Sequence, residues 1–147
     1  MNLTSIECNR QIPAAPQDVW DVWTDPHHPG GPWFSPQGNG MSSKIILDKK
    51  VDGLFYHCVT RGDASWVHYG RFTQLEPGAL VEHTWVCEAT KGRESIVTTR
   101  FEATDGGTFV TITQTGIPDD EEGRAQDAGW QWTLGMPADV MSKRKQS

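Results

Sequence analysis

The side chains best able to do chemistry in this 147-residue sequence are its five histidines and three cysteines. His27 and His28 sit among prolines and glycines and read as loop residues, whereas His57, His68 and His83 fall in strand-like segments. A histidine on an inward sheet face can move a proton or orient a ligand through a hydrogen bond. His83 is the candidate for either task, with Thr99 and Gln114 on the same face. A row of His57, His68 and Cys87 offers three zinc ligands but lacks a fourth, and no metal is expected. Cys8, Cys58 and Cys87 are odd in number and lack the close pairs of zinc or redox sites, which fits free thiols in a reducing compartment. The sequence has no Gly-x-Ser-x-Gly elbow, phosphate loop or dinucleotide fingerprint, and nothing in it calls for an organic cofactor.

These residues are positioned by a run of short elements. Leu3 to Ile12 reads as a strand, and Pro16 opens a short helix carrying Val19, Trp20 and Trp23 at helical spacing. Asp25-Pro26 repeats the cap-then-proline start for a second short helix. The loop that follows carries Trp33 and Phe34, candidates for a lid. From Lys44 to Gly116 the turn signals Asp52-Gly53, Gly62-Asp63, Pro77-Gly78, Lys91-Gly92 and Asp105-Gly106 divide the chain into six antiparallel strands, with the opening strand as a seventh.

Turn geometry also predicts a register. A two-residue Asp105-Gly106 turn pairs Phe101 with Val110, Thr99 with Ile112 and Val97 with Gln114. A two-residue Pro77-Gly78 turn pairs Phe72 with His83, Gly70 with Trp85 and His68 with Cys87. Pairing Cys87 with Ser95 and Trp85 with Val97 joins the two hairpins, and a four-residue loop around Gly62-Asp63 would set His57 opposite His68. One face then carries Phe72, Val81, His83, Trp85, Val97 and Thr99, continued by Phe101, Val110, Ile112 and Gln114. The other face, with Arg71, Glu82, Thr84, Thr98, Arg100 and Thr111, reads as solvated. A helix capped by Asp119 to Glu122 follows, its stripe of Gln126, Gly129, Trp130, Thr133, Leu134 and Met141 covering the first face. Gly129 is expected to allow close approach and Trp130 to fill the space. Trp20, Trp23 and Trp132 read as packing residues. Pro137 predicts a kink or an early end.

Composition bounds the rest. Thirteen basic and nineteen acidic side chains give a net charge of −6, hydrophobic residues make up 36% and mean hydropathy is −0.54. No segment is apolar enough for a membrane span, and the N-terminus lacks the marks of a secretory signal, so a cytoplasmic protein is expected. The basic cluster Lys143-Arg144-Lys145 lies in a tail expected to fray over 143–147, which argues against nucleic acid as a partner. Length suits one domain, 1–147.

The run Arg10-Gln11-Ile12-Pro13-Ala14-Ala15-Pro16-Gln17-Asp18-Val19-Trp20, then Thr24-Asp25-Pro26 and Trp33, resembles the start of the heat-shock protein 90 ATPase activator-like (AHSA1-like) family of the START-like, or SRPBCC, superfamily. Gly70 and Phe72 before Glu76-Pro77, Thr84-Trp85, Glu94 to Thr98, Gly107-Thr108, Gly116 to Asp119, Gly129-Trp130 and Leu134 continue the resemblance in order. It departs at Asp52-Gly53, where a Gly-Gly pair is usual, at Gln114, where histidine is common, and at Pro137, where leucine is normal.

The resemblance implies an α+β helix-grip fold: a curved antiparallel sheet of six to seven strands around a long C-terminal helix, with two short helices after the first strand and a cavity between sheet and helix. The expected function is non-covalent binding of a small hydrophobic or aromatic molecule there. The inner-face residues, with Trp33, Phe55, His68, Trp130 and Leu134, are the candidate ligand-binding set. Two alternatives stay open: a cyclase or aromatase type of enzyme using His83, and a chaperone-associated protein-binding module. A homodimer also stays open.

Overall fold

Alternating side chains and short turns make the first 118 residues mostly strand, as the period-2 pattern requires. The computed structural model describes residues 1–28 and 41–146, so the expected lid residues Trp33 and Phe34 lie outside the described residues. Strand β1 spans Leu3–Ile12, and helix α1 spans Pro16–Trp23 with its proline at the first turn and Val19, Trp20, Val22 and Trp23 buried. The second short helix does not form over residues 25–28. The Asp25 carboxylate accepts the His27 N–H at 2.9 Å and closes a turn instead.

Strands β2 (Met41–Leu47), β3 (Leu54–Arg61), β4 (Ala64–Glu76), β5 (Leu80–Trp85), β6 (Ser95–Thr104) and β7 (Gly107–Pro118) follow. They form one curved seven-stranded antiparallel sheet in the order β1-β7-β6-β5-β4-β3-β2. A 3₁₀ turn at Glu88–Thr90 links β5 to β6. Helix α2 (Glu121–Arg124) starts at Asp120, whose carboxylate accepts the Gly123 N–H at 2.7 Å, and helix α3 (Gln126–Gln146) packs against β1 and α1. No helix among the described residues is long and apolar enough to cross a membrane.

The registers show how far local turn chemistry reaches. Phe101 pairs with Val110, Thr99 with Ile112 and Val97 with Gln114, as expected. Arg61 pairs with Ala64, so the loop holds only Gly62 and Asp63 rather than four residues, and because one residue is added to each strand the register still sets His57 opposite His68. Phe72 does meet His83, but by a different route: Glu76 pairs with Leu80, so the loop holds three residues, and a bulge between Phe72 and Gln74 restores the alignment. Beyond Val86, which bridges Tyr69, the chain leaves the ladder, so Cys87 does not reach His68 as a strand partner. Trp85 pairs with Ser95 and His83 with Val97, a slip of two residues from the expected β5–β6 register. An even slip keeps every side chain on its face, which is why the face assignment survives it.

The buried face is the one expected: Phe72, Val81, His83, Trp85, Val97 and Thr99, then Phe101, Val110, Ile112 and Gln114. On the other face Thr84 is buried rather than solvated. Its hydroxyl accepts the Arg71 N–H at 2.9 Å, and its carbonyl lies 2.1 Å from where a Cβ on Gly70 would stand, so β4 and β5 close over it. Helix α3 continues through Pro137 to Gln146 instead of ending early. A proline inside a helix costs about 3 kcal/mol. Burial of Leu134, Ala138 and Met141 on both sides of it, in the same cluster as Cys8, Ile12 and Val22, offsets that loss.

Candidate functional site

The β3–β4 hairpin curls over the start of α3, and the two do not meet fully. Between them lies a cleft of about 650 Å³. Same-face alternation brings His57 and Val59 from β3, and Trp66 and His68 from β4, to one wall; β5 adds His83 and Trp85. The opposite wall is α3, through Gln126, Gly129, Trp130, Trp132 and Thr133. Cys87, Glu88 and Ala89 beside the 3₁₀ turn and Glu122 of α2 complete the rim. Trp66 and Trp132, 46% and 51% exposed, stand at the mouth.

The floor is an aromatic cluster that continues from the lining into the core. His68 lies flat on Trp85, with centroids 4.7 Å apart and planes 24° from parallel, and Trp130 meets the same indole at 4.9 Å. His57 is 5.8 Å from His68, and Phe55 meets His83 edge-on at 5.0 Å. Burial pushes the His57 and His83 imidazoles down to about 4, the neighbouring His68 adding to the effect at His57. Burial also lowers His68, against the pull of a hydrogen bond to the His57 backbone. All three rings are therefore neutral at pH 7. His83 Nδ1 lies 2.9 Å from the Thr84 carbonyl, which can only accept, so Nδ1 carries the proton and Nε2 holds the lone pair. His68 Nδ1 is buried without a hydrogen-bond partner among the described residues.

Gln114 is the polar hinge between sheet and helix. Its Nε2 donates to Ser95 Oγ at 2.9 Å and Gln126 Oε1 at 3.1 Å, and its Oε1 accepts from Trp130 Nε1 at 2.8 Å. Ser95 Oγ in turn donates to the Trp85 carbonyl at 2.7 Å. The amide is thus held in a network that fixes Trp130 as the cleft's inner wall.

The whole-chain comparisons agree with this architecture. The family model described as Activator of Hsp90 ATPase homolog 1-like protein matches residues 13–136. The chain belongs to that family. Three solved structures similar to this AHSA1-like chain show how widely the fold is shared. Protein CV1439 from Chromobacterium violaceum is 24% identical, with 93% of this chain and 96% of that one covered at a TM-score of 0.79. Protein SA2116 from Staphylococcus aureus is 15% identical, with 99% and 98% covered at 0.80. The AHSA1-like protein from Aeromonas hydrophila is 24% identical, with 98% and 96% covered at 0.70. At these identities the likeness shows the fold alone. No curated protein matches the chain.

Of the expected ligand-binding set, the AHSA1-like fold brings His68, His83, Trp85 and Trp130 onto the cleft lining. Phe55, Phe72, Val81, Val97 and Thr99, with Phe101, Val110, Ile112, Gln114 and Leu134, are buried in the interior and not on that lining. The expected His83, Thr99 and Gln114 grouping is not joined by hydrogen bonds: Gln114 is committed to its own network and Thr99 Oγ1 has no partner among the described residues. Cys87 lines the cleft but turns its thiol to Gln126 Oε1 at 3.6 Å. Among the described residues no three His, Cys, Asp or Glu side chains are placed to hold a metal ion.

The family's Gly-Gly position is also resolved. Asp52 takes a φ of 70°, a conformation aspartate tolerates better than most residues, and its carboxylate meets Arg71 at 2.9 Å.

Sequence reasoning missed Trp66 and Trp132 as lining residues, although the signal existed. Trp66 is two residues from His68 on the same face, and Gln126, Gly129, Trp132 and Thr133 form a second stripe on α3 beside the core stripe. Trp132, expected to pack, is instead half exposed at the mouth. Gly129 belongs to that second stripe: it is exposed, and a Cβ added there meets nothing within 4 Å, so it is not a close-approach glycine. Gly129→Ala should therefore stabilise the protein by about 0.5 to 1 kcal/mol through helix propensity. A lower urea midpoint for the variant would refute this.

Proposed function

We propose that this chain binds a small hydrophobic or aromatic molecule non-covalently in the cleft between the β3–β4 hairpin and α3. The observation that carries the reading is a concave space of about 650 Å³ walled by tryptophans, with the unpartnered His68 Nδ1 on its lining. Small-molecule sites combine that volume and apolar lining with a few polar groups that fix orientation. His68 and His83 would supply those groups as neutral hydrogen-bonding rings, and the Trp85 and Trp130 indoles would stack on the ligand. The family name points to a chaperone partner. A concave aromatic cleft of this size favours the small molecule, because protein partners dock on broader surfaces.

The test uses the neutral fluorophore N-phenyl-1-naphthylamine. Saturable binding at one site is expected, with Trp132→Ala weakening it about 10-fold, as removal of a contacting tryptophan does. Trp132 is half exposed, so the melting temperature should stay nearly constant. Absence of saturable binding, or unchanged affinity in Trp132→Ala, would sink the proposal.

A further inference from the structure

We propose that the preferred ligand of this cleft is a hydrophobic cation, an arylalkyl or alkyl ammonium, rather than a neutral or carboxylate-bearing molecule. The proposal rests on the reading of the cleft as a small-molecule site and adds the charge of what enters it.

Three independent features agree. The first is the lining itself: among the described residues it contains Glu88 and Glu122 and neither lysine nor arginine. Both glutamates are exposed, and the 3₁₀ turn that carries Glu88 packs against α2, which carries Glu122, so the carboxylates share one side of the rim. Lys91 is not on the lining: its ammonium pairs with Asp120 at 2.5 Å, and Glu122 lies close enough to add to the stabilisation of its charge, so the rim keeps its acidic character chiefly through Glu88. The second feature is the wall. Trp66, Trp85, Trp130 and Trp132 all face the cleft, and indole is the strongest side-chain partner for a cation held over a ring face. The same fold already uses this contact elsewhere, where the Lys49 ammonium lies 4.7 Å from the Trp20 ring centroid.

The third feature is what the histidines do not contribute. His57, His68 and His83 are cleft residues that could have presented positive charge, but burial keeps each of them neutral at pH 7. The surroundings reinforce the selection, since a net charge of −6 attracts cations to the surface and repels carboxylates. In the bound state the ammonium would sit at the mouth between the glutamates and the exposed faces of Trp66 and Trp132. The apolar part would reach down to Trp85 and Trp130.

Three probes sharing one ring system separate charge from shape: 1-naphthylmethylamine, 1-naphthalenemethanol and 1-naphthoate, titrated into the full chain by calorimetry at pH 7 and low salt. The amine should bind about 10-fold more tightly than the alcohol and the carboxylate more weakly than either, as solvent-exposed cation–π contacts with two indoles and the attraction of two carboxylates together allow. The double variant Glu88→Gln/Glu122→Gln should bring the amine to within about 3-fold of the alcohol, and 0.3 M salt should act in the same direction. Equal affinities, or a preference for the carboxylate, would overturn the charge selection while the bound alcohol leaves the cleft reading intact. Failure of all three probes to bind would overturn both. An amine preference that survives the double variant and high salt would remove the glutamates from the explanation and defeat the inference as stated.

Discussion

Replacing Trp130 by alanine should destabilise the protein by about 3 to 5 kcal/mol, the range seen when a large aromatic is cut from a core. Two losses combine. The indole is 9% exposed and packs on Trp85 at 4.9 Å, so its removal opens a void between α3 and the sheet. Its Nε1–H is also the donor that satisfies Gln114 Oε1 at 2.8 Å, and Gln114 is fully buried. An interior carbonyl left without its donor costs roughly 1 to 3 kcal/mol by itself. Trp130→Phe separates the two losses: it keeps most of the apolar volume and removes the N–H, so it should cost about 1 to 3 kcal/mol. Urea unfolding of both variants checks the pair. A loss for Trp130→Ala below about 1 kcal/mol, the level of a surface substitution, would show that the helix does not depend on this contact.

Acid should unfold the protein well before its carboxylates are fully protonated. His57 and His83 are 7% and 2% exposed, and burial takes each from 6.5 to about 4. Above pH 6.5 both rings are neutral folded or unfolded, and the full stability is present. Between 6.5 and 4 the unfolded chain takes up protons that the folded chain refuses, so stability falls as pH falls. Each histidine removes about 3 kcal/mol over that window, and His68, shifted the same way, adds to the loss. The total is comparable with the whole stability of an ordinary domain, roughly 5 to 15 kcal/mol. Urea midpoints measured from pH 8 to pH 4 should therefore drop steeply below 6.5, with His57→Phe flattening the slope by about one proton. A flat profile down to pH 4.5 would show that these rings are protonated inside the fold.

Much of the architecture was legible because the signals are local. Pro16, the turn dipeptides and the alternation of Val97, Thr99 and Phe101 against Thr98 and Arg100 depend on residues within a few positions of each other. They determined α1, the strand order along the chain and the inward face. That face withstood a wrong loop length at Pro77-Gly78 because the bulge between Phe72 and Gln74 restored the alignment, and it withstood a two-residue slip between β5 and β6 because only an odd slip moves a side chain across the sheet. Pro137 misled for the same reason: its local cost was visible, and the burial of Leu134, Ala138 and Met141 that offsets it was not.

The candidate site was legible in residue type and hidden in arrangement. Polar residues on an apolar face announce that partners must exist, so Gln114 was singled out. Only the tertiary structure decided that its partners are Trp130, Ser95 and Gln126. A cleft is space that two elements fail to fill, and its place depends on how strongly the sheet curves and where α3 rests on it. No pattern in one strand or helix encodes that distance. Hence Phe72, Val81 and Ile112 became interior while Trp66, Trp132 and the second stripe of α3 became the wall. The neutrality of His57, His68 and His83 follows the same rule, since desolvation is set by every element that closes over a ring, and those elements come from distant parts of the chain.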